Sequence, residues 1–83
     1  MDNIVEKIIN ILNNLNLKDI HIENIETDFI KENNIDSITF IEIIIYIEEE
    51  FDILIPDEYL LSEKLNTIYK IANLVSELVL CTI

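Results

Sequence analysis

Asn34-Ile35-Asp36-Ser37-Ile38-Thr39-Phe40-Ile41-Glu42-Ile43-Ile44-Ile45-Tyr46-Ile47-Glu48-Glu49-Glu50-Phe51 is the stretch on which the fold turns. From Ile38 onward its apolar positions Ile38, Ile41, Ile44, Ile45, Ile47 and Phe51 follow a helical spacing, with Glu42, Glu48, Glu49 and Glu50 supplying charge. So many β-branched residues favour a strand by propensity, yet the run is too long for one and ends in three consecutive glutamates. A helix is expected from Ile38 to Phe51, and Asp36 and Ser37 are both common N-caps for it.

Downstream, Asp52 to Pro56 breaks the pattern. Pro56-Asp57-Glu58 suits the first turn of a short third helix, because proline is tolerated at the opening position. Thr67 then caps a last helix whose apolar face is Ile68, Ile71, Ala72, Leu74, Val75, Leu78 and Val79. Upstream, Asp2 caps a first helix of about four turns with apolar positions Ile4, Val5, Ile8, Ile9, Leu12 and Leu15. Asn13, Asn14 and Asn16 weaken helical propensity after it. In the segment to Asn34, Ile20, Ile22 and Ile25 alternate with polar residues, but a solitary strand has no partner for its hydrogen bonds. Thr27-Asp28-Phe29-Ile30 reads as a turn that anchors this long connection, and loops of such length are functional or carry short helical turns. The result is an all-α, four-helix bundle with three long helices, one short one and a long loop between the first two.

Eighty-three residues allow one small domain, 1–83, near the size where a single core barely outweighs chain entropy. The chain is 51% apolar and holds twenty isoleucines, enough to fill a core despite its charge. Net charge is −12, from seventeen acids against five lysines and no arginine, which excludes a phosphate backbone as partner. Between Glu32 and Glu63 lie ten acids and no lysine. That stretch either attracts basic partners or is simply a soluble acidic surface. The single cysteine, Cys81, cannot close an intrachain disulfide and reads as a small apolar residue. A secretion signal is not apparent, and the longest apolar run, Ile43 to Ile47, falls far short of the roughly twenty residues a spanning helix needs. A soluble, cytoplasmic monomer is expected.

A nucleophilic serine needs a base within hydrogen-bond reach, and the one histidine, His21, sits in the long loop without a motif around it. A catalytic triad is not expected, and His21 reads as an exposed loop residue. With no glycine, the glycine-dependent phosphate loops and calcium loop lack their required residue. Thiolate–imidazole metal spacing is missing as well. Ser37 at a helix N-terminus, however, faces unpaired N–H groups and the positive end of the macrodipole, where an attached phosphodiester would be stabilised.

Asp36-Ser37-Ile38, then Glu42, then Ile47-Glu48-Glu49-Glu50-Phe51-Asp52-Ile53, then Ile55-Pro56-Asp57-Glu58 resemble the acyl carrier protein family in its Asp-Ser-Leu/Ile motif and acidic second helix. The resemblance implies a four-helix carrier bundle in which Ser37, flanked by the motif residues Asp36 and Ile38, is esterified by 4′-phosphopantetheine. A phosphopantetheinyl transferase takes that group from coenzyme A, and its thiol then holds an acyl, aminoacyl or peptidyl cargo as a thioester. Such a carrier is a substrate and not an enzyme. The implied partner surface is Asp36, Glu42, Glu48, Glu49 and Asp57, read by basic patches on loading ligases, synthases and transferases. Ile38, Ile41 and Ile45 could add apolar contacts, although core burial of Ile41 and Ile45 is expected from the width of apolar face the helix needs.

Three departures from the family pattern stand out. Asn34 replaces a glycine two residues before the aspartate, and asparagine is the substitute best able to adopt a left-handed conformation. Thr39 replaces an acid, and bulky Phe40 follows; both bear on recognition by fatty-acid enzymes. Ser-Ile is similar to the peptidyl carriers of nonribosomal synthesis, whereas Ile-Pro-Asp-Glu resembles the fatty-acid type, so a freestanding carrier of a specialised fatty-acid-like, polyketide or nonribosomal pathway is expected. Two other classes remain open: a small acidic inhibitor of immunity type that binds a basic partner, and a small serine hydrolase.

Overall fold

The computed structural model describes residues 2–18, 20–61 and 63–81, with side chains over that span except at 2, 80 and 81. The expectations for Asp2 as a cap and Cys81 as a small apolar residue concern side chains outside that description.

Branched apolar residues at helical spacing produce the three long helices, α1 (Asp2–Asn14), α3 (Ser37–Phe51) and α4 (Ile68–Cys81), and a fourth, α2 (Phe29–Glu32), is a single turn in the long connection. Among the described residues there is no strand. The core takes Val5, Ile8 and Leu12 from α1, Phe40, Ile43, Ile44 and Ile47 from α3, and Ile68, Ile71, Ala72, Leu74 and Val75 from α4. Leu78 and Val79 pack against it, so the face expected for the last helix is the one it buries. The Thr67 hydroxyl accepts the Lys70 N–H at 3.0 Å, as expected of its cap.

Two expectations are corrected. Ile41 and Ile45 were expected in the core but are 39% and 44% exposed, and Ile38 is 70% exposed. At about 100° per residue, Phe40, Ile43, Ile44 and Ile47 share one arc of α3, and Ile38, Ile45, Glu42 and Glu49 share the opposite one. The Phe40 ring fixes the choice: it is buried, and so acts on packing and not on a partner. The short helix is also displaced. After Pro56 the chain makes only a 3₁₀ turn, Asp57–Tyr59, closed by Tyr59 N–H to Pro56 O and Leu60 N–H to Asp57 O, both 3.0 Å. The short α-helix forms instead at Phe29, because Asp28 caps it by accepting the Lys31 N–H at 2.9 Å while the buried Phe29 ring anchors it.

Side-chain clasps hold the long connection in place. The Asn33 amide pairs with the Lys18 backbone, accepting its N–H at 2.8 Å and donating to its carbonyl at 3.3 Å. Asn66 Nδ2 donates to Asp28 Oδ2 at 2.9 Å, and the Phe29 N–H donates to Asn66 O at 3.1 Å. Ile20 is buried under this layer while Ile22 is 59% exposed and lies in a second 3₁₀ turn, Ile22–Asn24.

Among the described residues three have positive φ: Asn16 (63°), Asn34 (51°) and Asp52 (53°). In a chain without glycine these are the residue types that tolerate the left-handed region. Asn34 keeps the turn into α3, as expected. At the N-terminus of α3 the cap is Asp36, whose carboxylate accepts the Thr39 N–H at 2.8 Å, leaving Ser37 as the first helical residue. At the other end the Ile53 N–H reaches Glu48 O at 3.1 Å, and the Ile55 N–H donates to the Glu48 carboxylate at 2.8 Å.

The Asp36 carboxyl is held below the ordinary aspartate range, chiefly by the Thr39 backbone N–H. A depressed folded-state pKa contributes stability above the unfolded value and loses it as pH falls through the folded one. Asp36→Ala is therefore expected to lower Tm at neutral pH, with the gap to the parent closing as the medium is acidified below about pH 4. A gap that persists unchanged in thermal scans at acid pH would remove the cap from this account. For the core, Ile47→Ala should cost about 2–5 kcal/mol in urea denaturation. Phe51 is only half-buried, with Lys7 Nζ 5.7 Å over its ring, so Phe51→Ala should fall below the roughly 3–5 kcal/mol of a fully buried phenylalanine.

Candidate functional site

The first four N–H groups of a helix have no partner inside it. In α3, capped by Asp36, these are Asp36, Ser37, Ile38 and Thr39. The Asp36 carboxylate takes that of Thr39, and the Asp36 carbonyl accepts the first bond inside the helix, from the Phe40 N–H at 2.9 Å. Ser37 and Ile38 keep theirs free among the described residues. The Ser37 side chain is exposed, and its hydroxyl makes no hydrogen bond among those residues. An exposed alcohol beside two outward N–H groups at the positive end of a helix can accept a phosphoryl group and stabilise the resulting diester. A 4′-phosphopantetheine group fits this geometry: no side chain covers the oxygen, the neighbouring Ile38 points to solvent at 70% exposure, and the Asp36 carboxylate is turned toward Thr39.

Among the described residues, no hydrogen bond joins Ser37 to a base or relay. His21 is exposed and lines a shallow groove with Glu6, Ile9, Asn10, Ile22 and Glu23, which does not include Ser37. It is the exposed loop residue expected of it.

The other expected site residues separate into two kinds. Asp36, Glu42 and Glu49 are exposed on or beside the outward face of α3, with Ile38 and Ile45 between them. Asp57 is exposed too, on the 3₁₀ turn after Pro56. Glu48 differs: it is half-buried, and its carboxylate holds the Ile55 backbone, so it fixes the segment after α3 as well as carrying charge. Two features escaped the sequence reading. The Glu48 latch is long-range within the turn and leaves no local pattern. Leu54, 85% exposed between buried Ile53 and Ile55, did leave one, since neighbours in extended chain point to opposite sides.

The sequence matches the phosphopantetheine attachment site family over residues 3–75, a span that takes in most of α1, all of α3 and half of α4. It is 44% identical over 71 residues to an acyl carrier protein of Buchnera aphidicola, covering 84% of this chain and 86% of that relative. It is 38% identical over 52 residues to an acyl carrier protein of Picosynechococcus sp., covering 63% of this chain and 62% of that relative. No solved structure matches. No helix of the described residues is long and apolar enough to cross a membrane. The family's prosthetic group is 4′-phosphopantetheine borne on a serine. With an all-helical fold and a serine at the start of its acidic third helix, the chain belongs to the acyl carrier protein family.

Proposed function

We propose that Ser37 is the serine that carries 4′-phosphopantetheine, and that the chain serves as a freestanding carrier presenting acyl, aminoacyl or peptidyl cargo to the enzymes of a specialised fatty-acid-like, polyketide or nonribosomal pathway. The observation that carries this reading is the exposed, unpartnered Ser37 hydroxyl beside the free N–H groups of Ser37 and Ile38. When bound, the group supplies a terminal thiol on which cargo is held as a thioester. The chain itself orients the attachment oxygen and stabilises the diester charge. It brings no base to Ser37 among the described residues, so a phosphopantetheinyl transferase must remove the hydroxyl proton, and the chain acts as a substrate and not as a catalyst.

Recognition by partners is assigned to Asp36, Glu42, Glu48, Glu49 and Asp57, with the exposed stripe of Ile38, Ile41 and Ile45 as the apolar contact between them. A loading ligase or synthase with a basic patch is steered by the acids and seals on the isoleucines. Because Glu48 also latches Ile55, Glu42 and Glu49 are the cleaner probes of recognition.

Incubation with coenzyme A and a broad-specificity transferase should add one arm, detected by intact mass, and Ser37→Ala should abolish the shift. Failure with several active transferases would refute the attachment site. Binding to one basic protein with Ser37 dispensable would favour an inhibitor instead. Glu42→Lys combined with Glu49→Lys should raise the KM of a cognate enzyme roughly tenfold. Since both side chains are exposed, Tm should hardly move. Unaltered kinetics would displace the recognition surface from this face of α3.

A further inference from the structure

A groove of about 500 Å³ runs between α1 and the C-terminal half of α3, lined by Ile11, Asn14 and Leu15 on one side and Tyr46, Glu49 and Glu50 on the other. We propose that it is a second docking surface, which receives a basic amphipathic helix of a partner protein while leaving Ser37 accessible.

Ile11 and Leu15 are half-buried and form an apolar floor, and Tyr46, 46% exposed, forms one wall. The rim is anionic on the α3 side, where Glu49 and Glu50 are exposed, and uncharged at Asn14 on the α1 side; no lysine lines it. Ile11 and Leu15 stand one turn apart, as do Tyr46 and Glu50, so the two rows present the i, i+4 spacing into which a helix lays its own apolar side chains. The complementary ligand carries leucine or aromatic side chains toward the floor and lysine or arginine toward Glu49 and Glu50. A second copy of this chain, at net charge −12, is repelled, as are anionic lipids and nucleic acid.

The groove is distinct from the stripe around Ile38. At about 100° per residue, Tyr46 and Glu50 lie roughly 80° and 120° around α3 from Ile38, on the flank facing α1. Along the axis they are about 13 and 20 Å from Ser37 at 1.5 Å per residue. Glu49 alone is common to both faces. A partner in the groove can hold the protein in an assembly without covering the serine. This inference does not depend on what Ser37 carries.

The test is an NMR titration of the uniformly 15N-labelled full chain with an 18-residue leucine–lysine amphipathic helical peptide, repeated on Ser37→Ala. Saturable shifts centred on Ile11, Leu15, Tyr46 and Glu50, with the Ser37 and Ile38 amides unmoved and Ser37→Ala behaving identically, are expected. Glu50→Lys should weaken binding about tenfold, and Glu42→Lys, which alters net charge equally, less than about twofold. Shifts centred on Ile38, Ile41 and Ile45, equal loss in the two lysine variants, or no saturable binding would overturn the proposal. Failure of Ser37 to be modified would leave these outcomes untouched, so the two readings fail separately.

Discussion

The rotation of α3 about its own axis governs everything else in the molecule. Its sequence is apolar at eight of the ten positions from Ile38 to Ile47, so sequence leaves several arcs of the helix able to face the core. What settles the angle is volume: Phe40, Ile43, Ile44 and Ile47 fill the space against the other helices, and a rotation that buried Ile41 and Ile45 instead would expel the Phe40 ring and Ile43. Once the angle is set, Ile38, Ile41 and Ile45 are left outside among the glutamates, and Tyr46 is turned toward α1. Packing in the interior thus determines which chemistry the surface displays.

The two ends of the same helix are held without glycine, by an ordinary aspartate cap at one and a carboxylate latch at the other. Asn34 and Asp52 take the left-handed conformations at either boundary, while the Asp36 carboxylate satisfies the Thr39 N–H inside the helix and the Glu48 carboxylate the Ile55 N–H beyond it. With both ends fixed, the serine is presented at a defined place: the Asp36 carboxylate takes the Thr39 N–H, and the N–H groups of Ser37 and Ile38 beside the hydroxyl stay open among the described residues. A cap at Ser37 would have drawn its oxygen back onto the backbone and removed it as a nucleophile. With Asp36 as the cap, the Ser37 hydroxyl stays exposed and off the backbone.

How much of this could be read in the sequence varied with how strictly each helix is patterned. The last helix was legible residue by residue, because its apolar stripe is clean and Thr67 marks its start. The start of α3 at Asp36 and Ser37 was legible as a choice between two caps, and Asn34 from the backbone demands of its position. The buried face of α3 was not, since near-continuous isoleucine carries little directional information. The short helix was misplaced from α2 to Pro56 because Asp28 and Phe29 act through Lys31 and the distant core, whereas proline is a conspicuous local signal. Glu48 was read only as a surface charge because its partner, Ile55, lies beyond the turn.

Glu48, Glu49 and Glu50 occupy the last turn of α3, where the macrodipole is negative and cations are preferred; no basic residue is present there. Three acids at that end oppose the helix and repel one another. Glu48 offsets part of this by accepting the Ile55 N–H, but the side chains of Glu49 and Glu50 make no hydrogen bond or ion pair among the described residues. Lys7, a nearby cation, lies over the Phe51 ring. The fold therefore keeps two charges that weaken it slightly and satisfies neither from within. A guanidinium or ammonium group from another protein, arriving where dipole and side chains add in the same sign, relieves both repulsions at once. Glu49 lies where the outward stripe and the groove beside α1 meet, so the negative field of this turn acts on both.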